Sequence, residues 1–522
     1  MIGKKCLVLR FVVLARDSLL RKIGYNHNMN MFIVILFAVI IAAQGVSAQT
    51  RNVTLFGRES DSLERVNLGN RKFHSAVKSY SALADTSDKY ALIAVHDSSR
   101  FVLEPLAELG IGAQQEQSSN YYSAILGLSS TYSYKQNLTI SMSIYGGYTS
   151  PLSTVDMMID SINHFPQYDG YSVGHNGNYF VRGVDFYVNY RPAKFLLLSA
   201  GKGKKFIGDG YRSVILSASN SGLYYFDTEV DVGNFKYVFS INGGRNYDNN
   251  CKSNRTSYMI YHLFSYNPAK WLNIGGFETV MMVRRDSVDR TRMPDIHYIN
   301  PVLFFRPLEF ALGSPDNALM GLFGKITYLK NHILYAQFML DDFNFNEIKE
   351  HNDTWNNKYA YQIGCKGYFG PMMYLLEYNY IRPFIYSHDK SVNAYAMYSQ
   401  PLANPYGANL KEVVANLKCK IQNIEANILA DYVMVGKDYN KYSFGNNVLR
   451  PYTLRHSNTN NVVGQGIRKE LINISAEISW FPQVMRNFSV FARVGNQHCD
   501  NIDNKYAMLG IKTSKLYFDR SL

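Results

Sequence analysis

The feature that most constrains this chain is a stretch of strict alternation near its C-terminal end, residues 472–480. Apolar side chains stand at Ile472, Ile474, Ile478 and Trp480, and small, polar or charged residues lie between them. A period of two places the apolar residues on one face of a β-strand and the others on the opposite face. The stretch therefore predicts a strand with one apolar and one polar face, and its terminal tryptophan is typical of a membrane interface.

The same alternation recurs in three further segments. Residues 488–494 repeat both faces after a turn, and residues 138–145 and 334–341 do so far upstream. Alternation alone also fits a soluble sandwich whose strands alternate between core and solvent. Three other features of the chain favour a membrane barrel: an export signal, the composition and the turns.

The export signal precedes all of these strands. Residues 31–43 are uncharged and apolar, and residues 46–48 (VSA) supply the small-x-small pattern that signal peptidase recognises. Residues 1–48 are therefore predicted to be a signal peptide, and Met29 is a second candidate start codon. No later apolar run is long enough for a spanning helix, so residence in a membrane must come from strands.

The composition and the turns agree with this interpretation. The chain has 41 Tyr and 30 Phe against 3 Trp, and tyrosine suits positions with one apolar and one wet end. Residues 190–196 (YRPAKFL) and 266–272 (YNPAKWL) are nearly the same aromatic-flanked turn, and residues 368–374 (YFGPMMY) are a third variant. Short turns of this kind are typical of the periplasmic rim of an outer-membrane barrel, with longer polar loops on the opposite side.

The length sets the size of the barrel. At about 23 residues per strand with its share of loops, the chain accommodates about 16 to 18 antiparallel strands. We predict an all-β fold with a transmembrane antiparallel barrel over residues 96–522, preceded by a periplasmic N-terminal segment over residues 49–95. A barrel of this size is wide enough to be hollow or plugged. It would lie in the outer membrane of a Gram-negative bacterium, with outer-membrane lipids and the outer-membrane assembly machinery as partners.

Charge and cysteine content indicate neither a nucleic-acid-binding protein nor a zinc protein. The net charge is +13, and removal of residues 1–48 leaves +8. No basic cluster predicts a nucleic-acid site. The positive net charge then indicates either charge dispersed over the surface or affinity for acidic polysaccharide. The four cysteines of the mature chain are too scattered for a zinc pattern, and their spacing fixes no disulfide pairing. They are Cys251, Cys365, Cys419 and Cys499.

No set of residues predicts catalysis, a metal site or a cofactor. Residues 201–210 (GKGKKFIGDG) have the glycines of a phosphate-binding loop, but they lack its Gly-Lys-Ser/Thr ending and a following helix. These glycines are instead predicted to allow a bend or a close backbone approach inside the barrel. Asp341 and Asp342 point to opposite faces of a strand, and residues 498–500 (HCD) have no spaced partner. We therefore predict that the chain is not an enzyme.

Five segments, taken in order, resemble one family. They are residues 73–80 (FHSAVKSY), 201–213 (GKGKKFIGDGYRS), 298–310 (YINPVLFFRPLEF), 334–343 (LYAQFMLDDF) and 377–384 (EYNYIRPF). Together they are similar to the capsule-assembly outer-membrane proteins of the Wzi type, and most similar to the branch that includes the gliding-motility protein RemB. The resemblance implies an eighteen-stranded barrel with a periplasmic N-terminal element, acting as a surface lectin that retains or organises capsular polysaccharide.

Two groups of residues are candidates for function. One is a charged network in the lumen, where inward charges pair with one another: Arg212, Arg306, Glu309, Asp341 and Arg382. The other is a glycan site on an outer loop, where a ring stacks on a sugar and amides hydrogen-bond it: Trp355, Asn352, Asn356 and Asn357. A purely structural role for the charges, and packing of the tryptophan on its own barrel, are the alternatives.

The sequence therefore predicts a barrel that binds surface polysaccharide and takes part in capsule assembly or retention. A gliding-motility or adhesin-associated protein is a variant of that function. A solute channel is the alternative from a different class, and it needs an unobstructed lumen with a selective ring of charges.

Overall fold

Each long alternating segment pairs with the next one along the chain, and 18 long strands close into an antiparallel barrel. The computed structural model describes residues 50–54, 58–83, 93–96, 99–115, 120–135, 137–152, 155, 165–169, 173–175, 177–248, 253–284, 298, 316–342, 353–482, 488–500 and 502–513. The predicted fold class is confirmed. The predicted signal peptide lies outside the described residues.

Short elements precede the barrel. They are β1 (Thr50–Thr54), α1 (Arg58–Asn67), β2 (Ser79–Leu83) and β3 (Ile93–His96). β1 and β2 form a two-stranded antiparallel sheet, and β3 pairs with the first long strand of the barrel. Within the described part of the chain, no helix has both the length and the apolar character needed to cross a membrane.

The long barrel strands then follow in chain order. They are β4 (Ser99–Gln114), β5 (Asn120–Tyr134), β6 (Leu138–Thr149), β8 (Asn178–Ala193), β9 (Leu196–Gly203), β10 (Leu223–Val232), β11 (Phe235–Asp248), β12 (Ser253–Ala269), β13 (Leu272–Val283), β14 (Asn317–Tyr328), β15 (His332–Asp342), β16 (Lys358–Phe369), β17 (Met372–Ile381), β20 (Leu410–Ile421), β21 (Ile424–Lys437), β22 (Ile467–Trp480), β23 (Phe488–Cys499) and β24 (Ile502–Thr513). The intervening labels belong to three short strands, β7 (Val173–His175), β18 (Ala396–Met397) and β19 (Gln400–Pro401). β24 closes the barrel by pairing antiparallel with β4.

The two faces of each strand have the character that the alternation predicts. On β22 the side chain of Ile474 is 50% exposed on the outer wall, whereas the adjacent Ser475 is 6% exposed and faces the lumen. Leu334 and Phe338 of β15 are likewise exposed, and Tyr335 between them is buried. Apolar residues outside and polar residues inside are what a barrel in lipid requires.

The connections differ at the two ends of the barrel. Seven connections of two or three residues between long strands lie at one rim, between β5 and β6, β8 and β9, β10 and β11, β12 and β13, β14 and β15, β16 and β17, and β20 and β21, and the two-residue connection between β23 and β24 lies at the other. Gly233 and Gly370 adopt the positive φ that such tight turns need. Phe195, Trp271 and Phe369 are exposed beside these turns. This rim is therefore the periplasmic one, and the long connections lie on the extracellular side.

One patch of the outer wall is covered by the chain itself. His262 of β12 faces outward, and its Nε2 lies 3.0 Å from the backbone oxygen of Tyr298. The Tyr237 hydroxyl lies 2.5 Å from Nδ1 of the same ring. Tyr298 is 1% exposed and packs with Ile260 and Val280. Polar groups are costly on a lipid-facing surface, so this cover explains why His262 is tolerated there.

Candidate functional site in the barrel lumen

The connection from β9 to β10, residues 204–222, folds into the lumen and carries Arg212. This side chain is 1% exposed. Its Nε lies 2.8 Å from Glu412 Oε1, and its Nη2 lies 3.0 Å from Asp431 Oδ2. The two carboxylates are inward residues of β20 and β21, so the guanidinium fastens the connection to the barrel wall.

Glu377, an inward residue of β17, holds the backbone of the same connection. Its Oε2 accepts a hydrogen bond from the backbone N–H of Tyr211 at 2.9 Å, and its Oε1 accepts one from that of Arg212 at 3.1 Å. The Tyr335 hydroxyl donates to the same carboxylate at 2.8 Å. A Cβ at Gly210 would lie 2.1 Å from Glu377 Oε2, so a larger residue here would displace the carboxylate that holds the connection.

Apolar packing completes this side of the lumen. Val214, Ile215 and Leu216 are at most 1% exposed and belong to a core that reaches the inner faces of β10 through β21. Two tyrosines of the connection from β17 to β20 close over them. The Tyr386 hydroxyl donates to Val214 O at 2.7 Å, and the Tyr395 hydroxyl donates to Ile215 O at 2.8 Å. We call residues 204–222 and 382–409 together the plug.

The periplasmic mouth is occupied by α1. Lys366 of β16 lies 2.7 Å from Glu64 Oε2, and Lys418 of β20 lies 2.5 Å from Asp61 Oδ2. Lys366 also donates to the backbone oxygen of Asp209 in the plug, at 2.6 Å. One lysine therefore links the N-terminal segment to the plug.

Asp209 lies where the plug meets the N-terminal segment. The Ser75 hydroxyl donates to its carboxylate, and the backbone N–H of Gly208 donates to Ala76 O at 2.8 Å. Although burial opposes it, the positive charges of Lys325, Lys366 and Lys78 hold the pKa of Asp209 below its usual range. The carboxylate is therefore ionised and binds the two segments together.

The opposite side of the lumen has a polar wall. On β5 and β6, most inward positions carry small hydroxyl residues, although Ile125 and Tyr145 also face inward and are buried. Two pairs of the hydroxyl residues bond across the strands: Thr131 with Ser141 at 3.1 Å, and Ser143 with Ser129 at 2.9 Å. We call the inner faces of β22, β23, β24, β4, β5 and β6 the polar wall. Among the described residues, none of the buried members of the apolar core lies on these strands.

Charged residues stand on the same wall. Glu477 of β22 accepts hydrogen bonds from Arg493 Nη2 at 2.6 Å and Nε at 3.0 Å, and Lys512 of β24 also contacts it. Glu108 of β4 is the register partner of Lys512 and is 4% exposed. The four side chains carry two positive and two negative charges, so this part of the wall is neutral overall.

A cavity of about 80 Å³ lies between the polar wall and residues 150–152, 155 and 165–168 of the connection after β6. Glu108, Ser123, Arg493 and Tyr506 are among its lining residues on the wall, and Tyr168 is one on the connection. Two of its lining residues contact the plug: the backbone N–H of Gln167 donates to Gln400 Oε1 at 3.4 Å, and the Ser221 hydroxyl donates to Tyr168 O.

The predicted charged network does not form one cluster among the described residues. Arg212 has the partners given above, and Asp341 Oδ2 accepts the backbone N–H of Tyr386 at 3.0 Å. Arg382 Nη1 lies 3.3 Å from Asp353 Oδ1. Arg212 and Asp341 thus hold the plug to barrel strands, and Arg382 links the plug to the connection before β16. Arg306 and Glu309 lie outside the described residues.

Three of the four predicted glycan residues are described, and they lie on the extracellular side. Trp355 is partly buried, with its ring centroid 4.8 Å from that of Tyr452 and the Arg455 guanidinium 4.3 Å from its own centroid. Asn357 is 5% exposed and donates to Thr354 Oγ1 at 3.2 Å. Asn356 is partly buried, and Asn352 lies outside the described residues. The indole thus already has aromatic and cationic neighbours within the protein.

The sequence analysis missed the carboxylates that anchor the plug. Glu377, Glu412 and Asp431 each occupy an inward position on an alternating strand. The inward position of these carboxylates could have been read from the alternation. It predicts a partner inside the barrel, because a buried charge must be paired. What the strand pattern does not give is the identity of the partner, which comes from a connection elsewhere in the chain.

The described residues also bear on metals and disulfides. No group of three or more His, Cys, Asp or Glu among them could hold a metal ion. Cys365, Cys419 and Cys499 are free thiols, and Cys251 lies outside the described residues.

Comparison with known proteins gives structural neighbours only. No family model and no curated protein matches the chain. Acinetobacter baumannii OccAB4 is similar at a TM-score of 0.41 and 9% identity, covering 80% of this chain and 97% of that one. Pseudomonas aeruginosa OccK7 (OpdD) gives 0.43 and 9%, covering 80% and 98%. A loop-deletion mutant of OmpT, an outer membrane protein of Vibrio cholerae, gives 0.34 and 9%, covering 80% and 99%.

These neighbours correct the expected family. The expected resemblance to the Wzi type is wrong, because the solved structures named above as similar are Occ and OmpT barrels. The protein is a closed antiparallel β-barrel with an apolar outer wall, the architecture of outer-membrane barrels.

Proposed function

We propose that the protein is a narrow outer-membrane channel for small polar solutes. The observation that carries the proposal is the asymmetry of the lumen. The plug and its apolar core occupy the side formed by β10 through β21, whereas the polar wall carries hydroxyls, equal numbers of acidic and basic side chains and a cavity. Such an arrangement narrows a wide barrel to a path along one wall.

The chemistry of the polar wall suits passage of a polar solute. Ser and Thr hydroxyls both donate and accept hydrogen bonds, so they can replace the water that a solute gives up in a constriction. Arg493 and Lys512 both pair with Glu477, so each of these charges is partly neutralised. A passing ion is therefore bound weakly enough to be released again. The plug, held by buried ion pairs, fixes the width of the path.

The test is the ionic conductance of the purified, refolded protein in planar bilayers. We expect discrete, small conductance steps from the wild-type protein. Ser123→Trp should reduce them severalfold, because Ser123 lines the cavity and its side chain is only 5% exposed. Leu128→Trp is the matched control, since Leu128 lies on the same strand and is 44% exposed on the outer wall. Wild-type protein without steps above the lipid background would overturn the proposal.

Binding of a surface polysaccharide is the second candidate. The observation that favours it is a tight extracellular turn in which Tyr439 and Tyr442 are 53% and 42% exposed. Its backbone is fixed by the Tyr442 N–H donating to Tyr439 O at 3.2 Å, and His456 packs edge-on to Tyr442. Exposed rings on a fixed turn can stack on sugar faces. The test is binding of the host's own surface polysaccharide, which Tyr439→Ala together with Tyr442→Ala should weaken.

A further inference from the structure

We infer that the cavity on the polar wall is a binding site for one uncharged, hydroxyl-rich solute unit of the size of a monosaccharide. The inference rests on the proposed channel function and names the class of solute that the channel selects. It follows from the size of the cavity, the balance of its charges and the arrangement of its aromatic rings.

The size of the cavity limits the ligand. At roughly 10–15 Å³ of such space per water position, a cavity of about 80 Å³ holds about six water molecules. That space suits a single sugar ring and is too small for a chain of sugars. A surface polysaccharide would therefore not occupy this site.

The charges around the cavity disfavour an ionic ligand. Arg493, which lines the cavity, already donates two hydrogen bonds to Glu477, so its guanidinium is committed to a protein carboxylate. Glu108 stands beside Lys512 in the register of the barrel. Because positive and negative side chains balance, neither an anion nor a cation is attracted to the cavity overall. An ion would also lose its hydration shell, at a cost in free energy that an uncharged solute does not incur.

Aromatic rings lie on both sides of the cavity. On the wall, Tyr121 and Tyr506 pack edge to face with centroids 5.7 Å apart. On the connection after β6, Phe165 and Tyr168 do the same at 5.2 Å. All four residues line the cavity. Rings on two opposite sides offer stacking surfaces to the C–H face of a sugar, which a small linear amino acid does not present.

Hydrogen-bonding groups complete the site. Ser123 of β5, Thr149 of β6 and Gln167 of the connection line the cavity together with the carboxylate of Glu108. Hydroxyl and amide groups pair with sugar hydroxyls in either direction, because both sides can donate and accept. A site with few polar groups set among aromatic rings is the usual form of a small-molecule pocket.

The experiment measures block of the KCl current in planar bilayers by D-glucose, with glycine and glutamate as comparison solutes. We expect a saturable reduction of the wild-type current by glucose and no saturable effect of the other two. Ser123→Ala and Tyr506→Phe each remove one hydroxyl and should raise the half-blocking glucose concentration about 3- to 10-fold. Tyr148→Phe is the control, because Tyr148 is 58% exposed on the outer wall of β6.

The outcomes separate the site from the channel. A channel that conducts but is blocked saturably by glycine or glutamate rather than by glucose overturns the inference and leaves the proposed function intact. Protein that does not conduct overturns the proposed channel function. Calorimetry of glucose binding in detergent then tests whether the cavity binds glucose. Heat-modifiable gel mobility shows whether each variant has folded. Glucose binding that Ser123→Ala and Tyr506→Phe leave unchanged overturns the inference in either assay.

Discussion

A single buried arginine joins the plug to two strands of the barrel, and its removal is the sharpest test of how the plug is held. Arg212→Met leaves the carboxylates of Glu412 and Asp431 buried without their cation. Breaking a buried ion pair from one side costs about 3–5 kcal/mol. We expect a loss of that size in the free energy of unfolding, measured by urea titration in detergent micelles.

The barrel offers a matched control for this variant. Arg468 of β22 lies 2.8 Å from Glu470, but the two side chains are 60% and 47% exposed. An exposed pair contributes about 0–1 kcal/mol, so Arg468→Met should change the stability little. Equal losses from both substitutions would show that burial of the ion pair is not what makes Arg212 important.

His74 gives the N-terminal segment a pH dependence with a definite sign. Burial, together with the charges of Lys236 and Lys325, lowers the pKa of His74 to about 3, and its Nδ1 lies 2.8 Å from Ser265 Oγ. In the unfolded chain the pKa is about 6.5. The unfolded state therefore binds a proton between these values while the folded state does not, and stability is full above pH 6.5 and falls below it.

We expect this loss to reach about 2–3 kcal/mol at pH 4.5. The measurement is the thermal unfolding midpoint of wild type and His74→Asn at pH 7.5 and pH 4.5. Asparagine keeps a hydrogen-bonding group but does not titrate, so its midpoint should fall less on acidification. If both proteins lose the same amount, His74 is not the residue responsible.

At the scale of one element, β22 shows how much the sequence predicts. The period of two places Ile474 outside and Ser475 inside, and the two exposures agree. Near the middle of the membrane, Ile474→Arg should cost about 2–4 kcal/mol because a charge then faces lipid. Ser475→Arg should be far milder, since it adds a charge to the polar lumen. Refolding yield and heat-modifiable mobility measure the difference, and equal effects would contradict the assigned faces.

The plug is the element that the sequence predicted least well. The glycines of residues 201–210 were expected to permit a close backbone approach inside the barrel, and a Cβ at Gly208 would indeed lie 2.3 Å from Gln337 Nε2. The apolar run Val214-Ile215-Leu216 has no period of two or of 3.6, so it predicts neither a strand nor a helix. Its burial depends on Tyr386 and Tyr395, which lie far away in the chain. Local patterning contains no information about such a contact.

For the whole molecule, the family resemblance failed for a physical reason. Residues 201–213 are the end of β9 and the start of the plug, residues 334–343 include the inward and outward faces of β15, and residues 377–384 run from the plug anchor Glu377 into the next connection. In this barrel, these segments supply glycines, inward charges and aromatic residues that fasten the plug. Short segments of that kind report the architecture, and they do not distinguish one family of barrels from another.

The periplasmic mouth provides a test of the lumen as a whole, because α1 and the plug meet at Lys366. Replacing Asp61 by Asn and Glu64 by Gln removes the carboxylates that contact Lys418 and Lys366 while keeping the side-chain shapes. Losing the two ion pairs should let α1 leave the mouth more often, so the mean conductance in planar bilayers should rise and its fluctuations increase. Glu470→Gln at the exposed extracellular end of β22 is the control and should leave the current unchanged. A double variant with the wild-type current would mean that the segment does not limit flow and that the polar wall alone sets the width of the path.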